Sequence, residues 1–263
     1  KAEIESMETA SGEGHEIGEV EYKKMILKRT GLVLLAIVII LFWIGISFAG
    51  ASECRVILLD LSKSSEAEDQ SKMWSEFDKN ITATLNIIKE KDTGGWITVA
   101  GISDQSFSNP LVLFDRPLPE NPGLFGEKRE FERKRGIKEF KKIAGTLKPS
   151  FNRTDIFGAV ALAKSHFRAS CQERRMYILS DMRQTSEGIN IEDVTIVPQE
   201  LIKKIEKRGM IPRLDNIDVY VMGVHTIGKD AQYIESISKF WRMYFIKAGA
   251  NLKTFSILRE GEK

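Results

Sequence analysis

The period of the apolar positions changes several times along the chain, and each change marks an element. Residues 56–59 form a short run with no polar interruption, stopped by Asp60, as a strand buried on both faces requires. Met73, Phe77, Ile81, Leu85 and Ile88 then recur at helical spacing with charged residues between them. Gly94 and Gly95 end that helix. Residues 96–102 read as a second strand and 111–114 as a short third one, close enough to follow through a hairpin. Pro117, Pro119 and Pro122 predict a loop over 115–126. A charged helix is expected over 128–147, with Phe131, Ile137, Phe140 and Ile143 facing inward. An Ala-rich, more buried helix follows over 156–167. Further strands are expected at 176–179, 219–224 and 252–258. The helices between them cover 199–207 and 234–248, the latter with Ile237, Trp241 and Phe245 on one face.

Strands that alternate with helices need crossover connections, and these build a mostly parallel sheet covered on both faces. The expected class is α/β: a Rossmann-like, doubly wound, mostly parallel six-stranded sheet with one short antiparallel edge strand. In such sheets ligands bind beyond the carboxyl ends of the strands, near the switch in strand order. That rule directs attention to the residues after 60 and around 181.

The first fifty residues are of another kind. Residues 31–50 read GLVLLAIVIILFWIGISFAG, without a charge, and ~20 apolar residues are what a helix needs to cross a bilayer. Lys23, Lys24, Lys28 and Arg29 precede this stretch, whereas only Glu53 and Arg55 follow closely. The positive-inside rule places the N-terminus in the cytoplasm and the bulk of the chain across the membrane. A cleaved signal peptide is the competing reading, because Ala49-Gly50-Ala51 has a small-x-small pattern; the length of the apolar run and the thirty residues before it favour an uncleaved anchor. Residues 1–22 are acidic and aperiodic, which predicts a disordered cytoplasmic tail. The expected organisation is therefore tail 1–22, basic flank and span 23–53, and one domain over 54–263.

Composition narrows the chemistry. Lys+Arg at 39 against Asp+Glu at 37 leaves a net charge of +2 and no strongly basic face for nucleic acid. Two cysteines, and histidines only at 15, 166 and 225, argue against a zinc site. Any resident cation is expected to be a hard one with oxygen ligands: Mg²⁺, Mn²⁺ or Ca²⁺.

Three separated pieces carry oxygen donors at strand ends: Asp60-Leu-Ser62-Lys63-Ser64, then Asn152-Arg153-Thr154-Asp155, then Leu179-Ser180-Asp181. In this order they resemble the von Willebrand factor type A (VWA) domain and its metal ion-dependent adhesion site (MIDAS), written Asp-x-Ser-x-Ser, a distant Thr, and an Asp after a later strand. The resemblance covers essentially all of 54–263. It implies that Asp60, Ser62, Ser64, Thr154 and Asp181 hold a divalent cation, Mg²⁺ first among the candidates. That cation takes a carboxylate of a partner protein as its last ligand. The bland reading remains beside it: Asp60, Asp181 and the serines cap following helices, as Asp155 is expected to do for the helix at 156. The resemblance also makes the strands after Cys54 and Cys171 parallel neighbours, so the two cysteines fall at the edge opposite the site. A disulfide and two separate thiols are both compatible with that placement. Adhesive members of the family carry a helix after the last strand, and regulation by such a helix is not expected of this sequence.

The functional expectation is a non-enzymatic, membrane-anchored module that binds a protein presenting Asp or Glu, with its domain in the periplasm of a bacterium or outside the cell. No paired nucleophile and base and no phosphate-cradling glycine loop is visible. Two alternatives stand. One is a metal-dependent phosphohydrolase, for which Ser62 occupies the place of the required second Asp. The other is a metal-free, degenerate VWA scaffold.

Overall fold

In the computed structural model, residues 52–63, 70–90, 93–186, 188–191, 197–224 and 230–259 are described, with side chains of the first helix from residue 74 onward. The tail 1–22 and the apolar stretch 31–50 lie outside these residues. Among the described residues no helix is long and apolar enough to cross a membrane. The elements are, in chain order, β1 (Glu53–Asp60), α1 (Gln70–Lys89), β2 (Gly95–Ile102), β3 (Leu111–Leu118), α2 (Glu127–Ala144), α3 (Ile156–Ser165), β4 (Glu173–Leu179), α4 (Pro198–Lys207), β5 (Asp218–Met222), α5 (Ala231–Lys247) and β6 (Asn251–Ser256).

The six strands form one sheet in the order β3-β2-β1-β4-β5-β6, parallel throughout except for the edge pair β2–β3. β1 is central, and Val56, Ile57, Leu58 and Leu59 are fully buried. Its alternate residues serve two cores. Val56 and Leu58 pack with Ile156, Val160, Phe240 and Trp241 on the face covered by α3, α4 and α5. Ile57 and Leu59 pack with Phe77, Ile87 and Phe140 on the face covered by α1 and α2. This double burial is why the β1 sequence shows no period-2 alternation. The order of strands switches between β1 and β4, so the carboxyl ends of these two flank the crevice where doubly wound sheets place ligands.

Three local expectations are corrected. β3 continues through Pro117 to Leu118, where a loop was expected. It is the outer strand of the sheet, and an edge position spares Pro117 the ladder hydrogen bond it cannot donate. Phe131, expected inside, is 65% exposed, whereas Phe140 of the same helix is fully buried. Gly95 opens β2 and does more than end a helix: at φ +126°, a Cβ there would lie 2.1 Å from the Glu53 carbonyl oxygen, so only glycine admits this strand beside β1.

The amino ends of β1 and β4 hold a buried polar cluster that the sequence pattern did not reveal. Glu53 and Arg55 are both buried, and Arg55 donates to Glu53 through Nε at 2.7 Å and to the Ile87 carbonyl at 2.8 Å. Thr93 donates to the second Glu53 oxygen, and Arg175 approaches the first at 3.3 Å. An ion pair this deep survives because its remaining hydrogen-bonding groups are met. One residue along β1, Cys54 is joined by a disulfide to Cys171, with Cα atoms 5.6 Å apart. β4 starts at Glu173, three residues earlier than expected, which keeps Cys171 beside the entrance of its neighbour. The bond closes a loop spanning 117 positions. Its reduction should destabilise the domain by about 2–4 kcal/mol through the enlarged unfolded ensemble, a fall of roughly 4–15 °C in Tm for a chain of this size. Thermal unfolding with and without reductant, and of the Cys54→Ala/Cys171→Ala double variant, measures it.

Candidate functional site

Asp60 is the last residue of β1, and the segment after it leaves the neighbouring strands to pair with Phe151. One Asp60 oxygen, Oδ1, accepts from the Ser62 backbone N–H at 2.9 Å and from the Ser62 hydroxyl at 2.7 Å. The other, Oδ2, accepts from the Ser180 hydroxyl at 2.5 Å. A carboxylate at a strand end therefore gathers hydroxyls from two loops. Each serine that directs its proton at Asp60 has only lone pairs left to offer a third group.

Backbone contacts lock three loops around this point. The segment after β1 pairs with residues 150–151: Ser62 forms a parallel bridge with Phe151, Lys63 donates to the Phe151 carbonyl, and Ser150 donates to that of Leu61. Thr154 and Thr185 are joined twice, the Thr154 N–H to the Thr185 hydroxyl at 2.8 Å and the Thr185 N–H to the Thr154 carbonyl at 3.0 Å. The Gln184 side chain accepts from the Ile156 N–H and donates to the Ser186 carbonyl. Asp155 caps α3 through the Gly158 N–H at 2.9 Å, as its sequence position predicts.

Asp181 lies just past β4, and its Oδ1 accepts from the Arg183 N–H at 3.0 Å. Neither Asp60 nor Asp181 caps a helix: residues 61–63 and 182–186 are non-helical. The loop passes through Met182 at φ 66°, a left-handed conformation that costs an L-residue with a Cβ roughly 1–2 kcal/mol. Two hydrogen bonds hold it there. The Met182 N–H donates to the Ser180 hydroxyl at 3.0 Å, and the Met182 carbonyl accepts from the buried Trp241 indole at 2.9 Å. The aromatic core on α5 thus reaches through to fix the turn that carries Asp181.

Electrostatics marks the place as unusual. Burial, then repulsion from the Asp181 carboxylate, pushes the Asp60 carboxyl up to about 6, against the relief given by the Ser180 and Ser62 hydrogen bonds. Two carboxylates are held close enough to repel. The nearby cation is Arg183, buried, with Nε 3.7 Å from Asp181 Oδ2. Beyond hydrogen-bond range, that pair compensates charge without satisfying geometry.

The structure thus brings together Asp60, Ser62 and Asp181, with Thr154 on the adjoining loop; Ser64 lies outside the described residues. Ser180, Arg183 and Gln184 have roles that sequence reasoning missed, although Ser180 and Arg183 were within reach as close neighbours of Asp181. Lys63 and Arg153 are exposed on the two sides of the Ser62–Phe151 bridge. A cleft of about 500 Å³ lined by Asn152, Arg153, Thr185 and Asn190 opens beside the Thr154–Thr185 contact. Asp104 is exposed, His166 is a half-buried C-cap residue of α3, and His15 and His225 lie outside the described residues. Of the two Asn-x-Thr sequons, Asn80 is buried and accepts from Arg259 at 2.6 Å, which closes it to a glycan; Asn152 is exposed.

The donor set fits a hard dication. Its members are oxygens, two of them on carboxylates whose mutual repulsion a cation relieves. Among the described residues no group of three or more His, Cys, Asp or Glu is gathered, and the oxygens beside Asp60 there are the hydroxyls of Ser62 and Ser180.

No protein-family model matches the chain, and no curated protein matches its sequence. Solved structures similar to the chain include the following two. Proximal thread matrix protein 1 from the mussel byssus shares 13% identity over 78% of this chain and 41% of its own, with a TM-score of 0.43. A von Willebrand factor type A protein from Catenulispora acidiphila shares 13% identity over 76% of this chain and 42% of its own, with a TM-score of 0.40. The chain spans about two-fifths of each of these proteins.

The Asp60 shift has a testable sign. With its folded value near 6, above the unfolded value near 3.8, the folded state keeps a proton that the unfolded state releases. In chelated buffer the group's contribution to stability should therefore fall as pH rises from about 4 to about 6. Asp60→Asn should remove that fall and be the more stable protein above pH ~6, by about 1–3 kcal/mol. Urea titrations of both proteins across pH 4–8 check this; a parallel decline in both would locate the pH dependence elsewhere.

Proposed function

We propose that the chain is a membrane-anchored binding module of the VWA kind and not an enzyme. Asp60, Ser62, Ser64, Thr154 and Asp181 hold a divalent cation, Mg²⁺ or else Mn²⁺ or Ca²⁺, and the site captures an Asp or Glu side chain of a partner protein. The observation that carries this reading is the pair of mutually repelling carboxylates, Asp60 and Asp181, fixed beside serine hydroxyls at the switch point of the sheet. When bound, the cation supplies Lewis acidity weakly neutralised by hydroxyl ligands, which suits an incoming carboxylate. The protein's own residues do the rest. Ser180 and Ser62 orient Asp60, Trp241 fixes the Asp181 turn, and exposed Lys63 and Arg153 give the rim a charge complementary to an acidic partner.

Two features support a periplasmic or extracellular address for the domain. One is the basic flank before the apolar stretch 31–50, with the N-terminus in the cytoplasm. The other is the Cys54–Cys171 disulfide, which persists in oxidising compartments. A bacterial inner membrane with the domain in the periplasm satisfies both.

One observation favours a second reading, a metal-free scaffold. The buried Arg183 guanidinium beside Asp181 places a permanent positive charge where a cation's charge otherwise falls. The two readings separate in one experiment. If the cation binds, Mg²⁺ or Mn²⁺ at a hundredfold excess over its Kd stabilises the domain by about 2.7 kcal/mol, a Tm increase of roughly 5–10 °C. Asp60→Ala abolishes it, and chelator releases a captured acidic partner. No thermal shift at millimolar Mg²⁺ or Mn²⁺, with partner capture indifferent to chelator, selects the metal-free scaffold instead.

A further inference from the structure

The charge of the chain is unevenly placed. Its net formal charge is only +2, yet α2 alone carries eight Lys or Arg against four Glu. All four carboxylates are engaged. Glu127 accepts from the Phe125 N–H, Glu130 pairs with Arg133 and Lys134, Glu132 with Arg135, and Glu139 with Arg116 on β3. Arg129 and Arg133 also turn to the protein, donating to the carbonyls of Pro119, Glu120 and Lys89. Lys128, Lys138, Lys141 and Lys142 are exposed and have no ion pair among the described residues. Lys134, Lys138 and Lys141, at i, i+4 and i+7, lie one above another on the face opposite buried Gly136 and Phe140, with Lys142 beside them. Like charges at these spacings repel. The helix dipole favours Lys141 and Lys142 in the last turn, but not Lys134 and Lys138 further in.

The row leads to the proposed site. α2 starts beside Pro119 and Glu120, just past β3 at the amino edge of the sheet, and runs back toward the carboxyl edge. Six residues after its end, Ser150 donates to the Leu61 carbonyl, and the chain then bridges to Ser62. Exposed Lys148 stands just before this contact, and exposed Lys63 and Arg153 flank it. These three likewise have no ion pair among the described residues. A run of cations therefore extends along α2 to the rim of the Asp60 site. Lys134 is about 15 Å from the end of α2 at the helical rise, a length that about five residues of extended chain cover.

We infer that the outward face of α2 binds an acidic segment of the partner protein, with several Asp or Glu within about five to ten residues of the carboxylate that the Asp60 site captures. This rests on the acidic-partner reading proposed above. The site takes one carboxylate at short range. The helix face acts at longer range: it speeds encounter and orients the segment, and salt screens its effect. The row is built of lysine, a point charge on a flexible stem without the rigid fork of arginine. It therefore suits a segment whose acids are irregularly spaced.

The test uses the full chain in nonionic detergent and a fluorescein-labelled peptide of eight glutamates, with binding read by anisotropy. Lys134→Gln/Lys138→Gln/Lys141→Gln removes three cations and keeps residues that favour a helix. Its Kd should lie roughly tenfold above that of the unaltered chain at low ionic strength, as the loss of three exposed ion pairs requires. The difference should vanish at high salt. Lys203→Gln/Lys204→Gln/Lys207→Gln removes the same charge from exposed positions on α4, across the sheet, and should leave the Kd within about twofold. Each measurement is made with Mg²⁺ and with chelator. An α2 effect under both conditions, with Mg²⁺ adding affinity that Asp60→Ala removes, supports the helix face and the site together. An α2 effect with no response to Mg²⁺ or to Asp60→Ala upholds the helix face and overturns the cation site. Mg²⁺-dependent binding that ignores the α2 substitutions overturns the inference and leaves the site standing. Equal losses in the α2 and α4 variants mark attraction to overall charge and overturn the inference, as does a peptide that does not bind the unaltered chain at low salt. A single-stranded oligonucleotide of equal charge that binds the α2 face more tightly than the peptide also overturns it. Unchanged far-ultraviolet circular dichroism and Tm show that each variant is folded.

Discussion

The constraint on which the structure depends is the complete burial of β1. Four consecutive side chains, Val56 to Leu59, lie in two cores at once, and at ~1.5–3 kcal/mol for each fully buried side chain they favour one position in the sheet strongly. Fixing β1 at the centre fixes its ends. Asp60 is carried to the carboxyl edge, between the loops that follow β2 and β4. Glu53 and Cys54 are carried to the amino edge, beside β2 and β4. A one-residue slip would exchange the two faces and move Asp60 out of reach of Ser180.

The two edges handle polar groups differently. At the amino edge Glu53 and Arg55 are buried as a satisfied pair, and a disulfide ties the same corner. At the carboxyl edge Asp60 and Asp181 are left in mutual repulsion, with the Arg183 Nε 3.7 Å from Asp181 Oδ2. Met182 is held in a left-handed conformation by the Trp241 indole. Strain and like charge concentrated at one edge, while the other is relaxed and covalently tied, is the distribution expected when the first edge has work to do. The turn between β3 and α2 adds a third kind of surface beside the tied edge, with Leu124 and Phe125 exposed.

Much was legible in the sequence because periodicity records burial. The unbroken run 56–59, the helical spacing from Met73 to Ile88, and Ile237, Trp241 and Phe245 on one face each follow from how many sides of an element are covered. The candidate site was legible as three strand-end pieces, because a sheet of this class brings strand ends together. Asp155 was legible as a cap because capping is local.

What only the tertiary structure decided is what depends on neighbours distant in sequence. Pro117 could enter a strand because β3 is an edge, which is a property of strand order. Phe131 shares the helical spacing of Phe140, yet one is exposed and the other buried, since periodicity gives a face but not where the covering layer ends. Glu53 and Arg55 read as flanking charges and are buried, because their partners Thr93, Arg175 and the Ile87 carbonyl come from other elements. The repulsion between Asp60 and Asp181 exists only across the gap between β1 and β4. The sequence by itself determined which residues could be strands, helices and oxygen donors, since those depend on each residue and its near neighbours. Which of them repel, pair or stay exposed was decided by the packing, since Coulomb energy and burial depend on distances that the chain order does not contain.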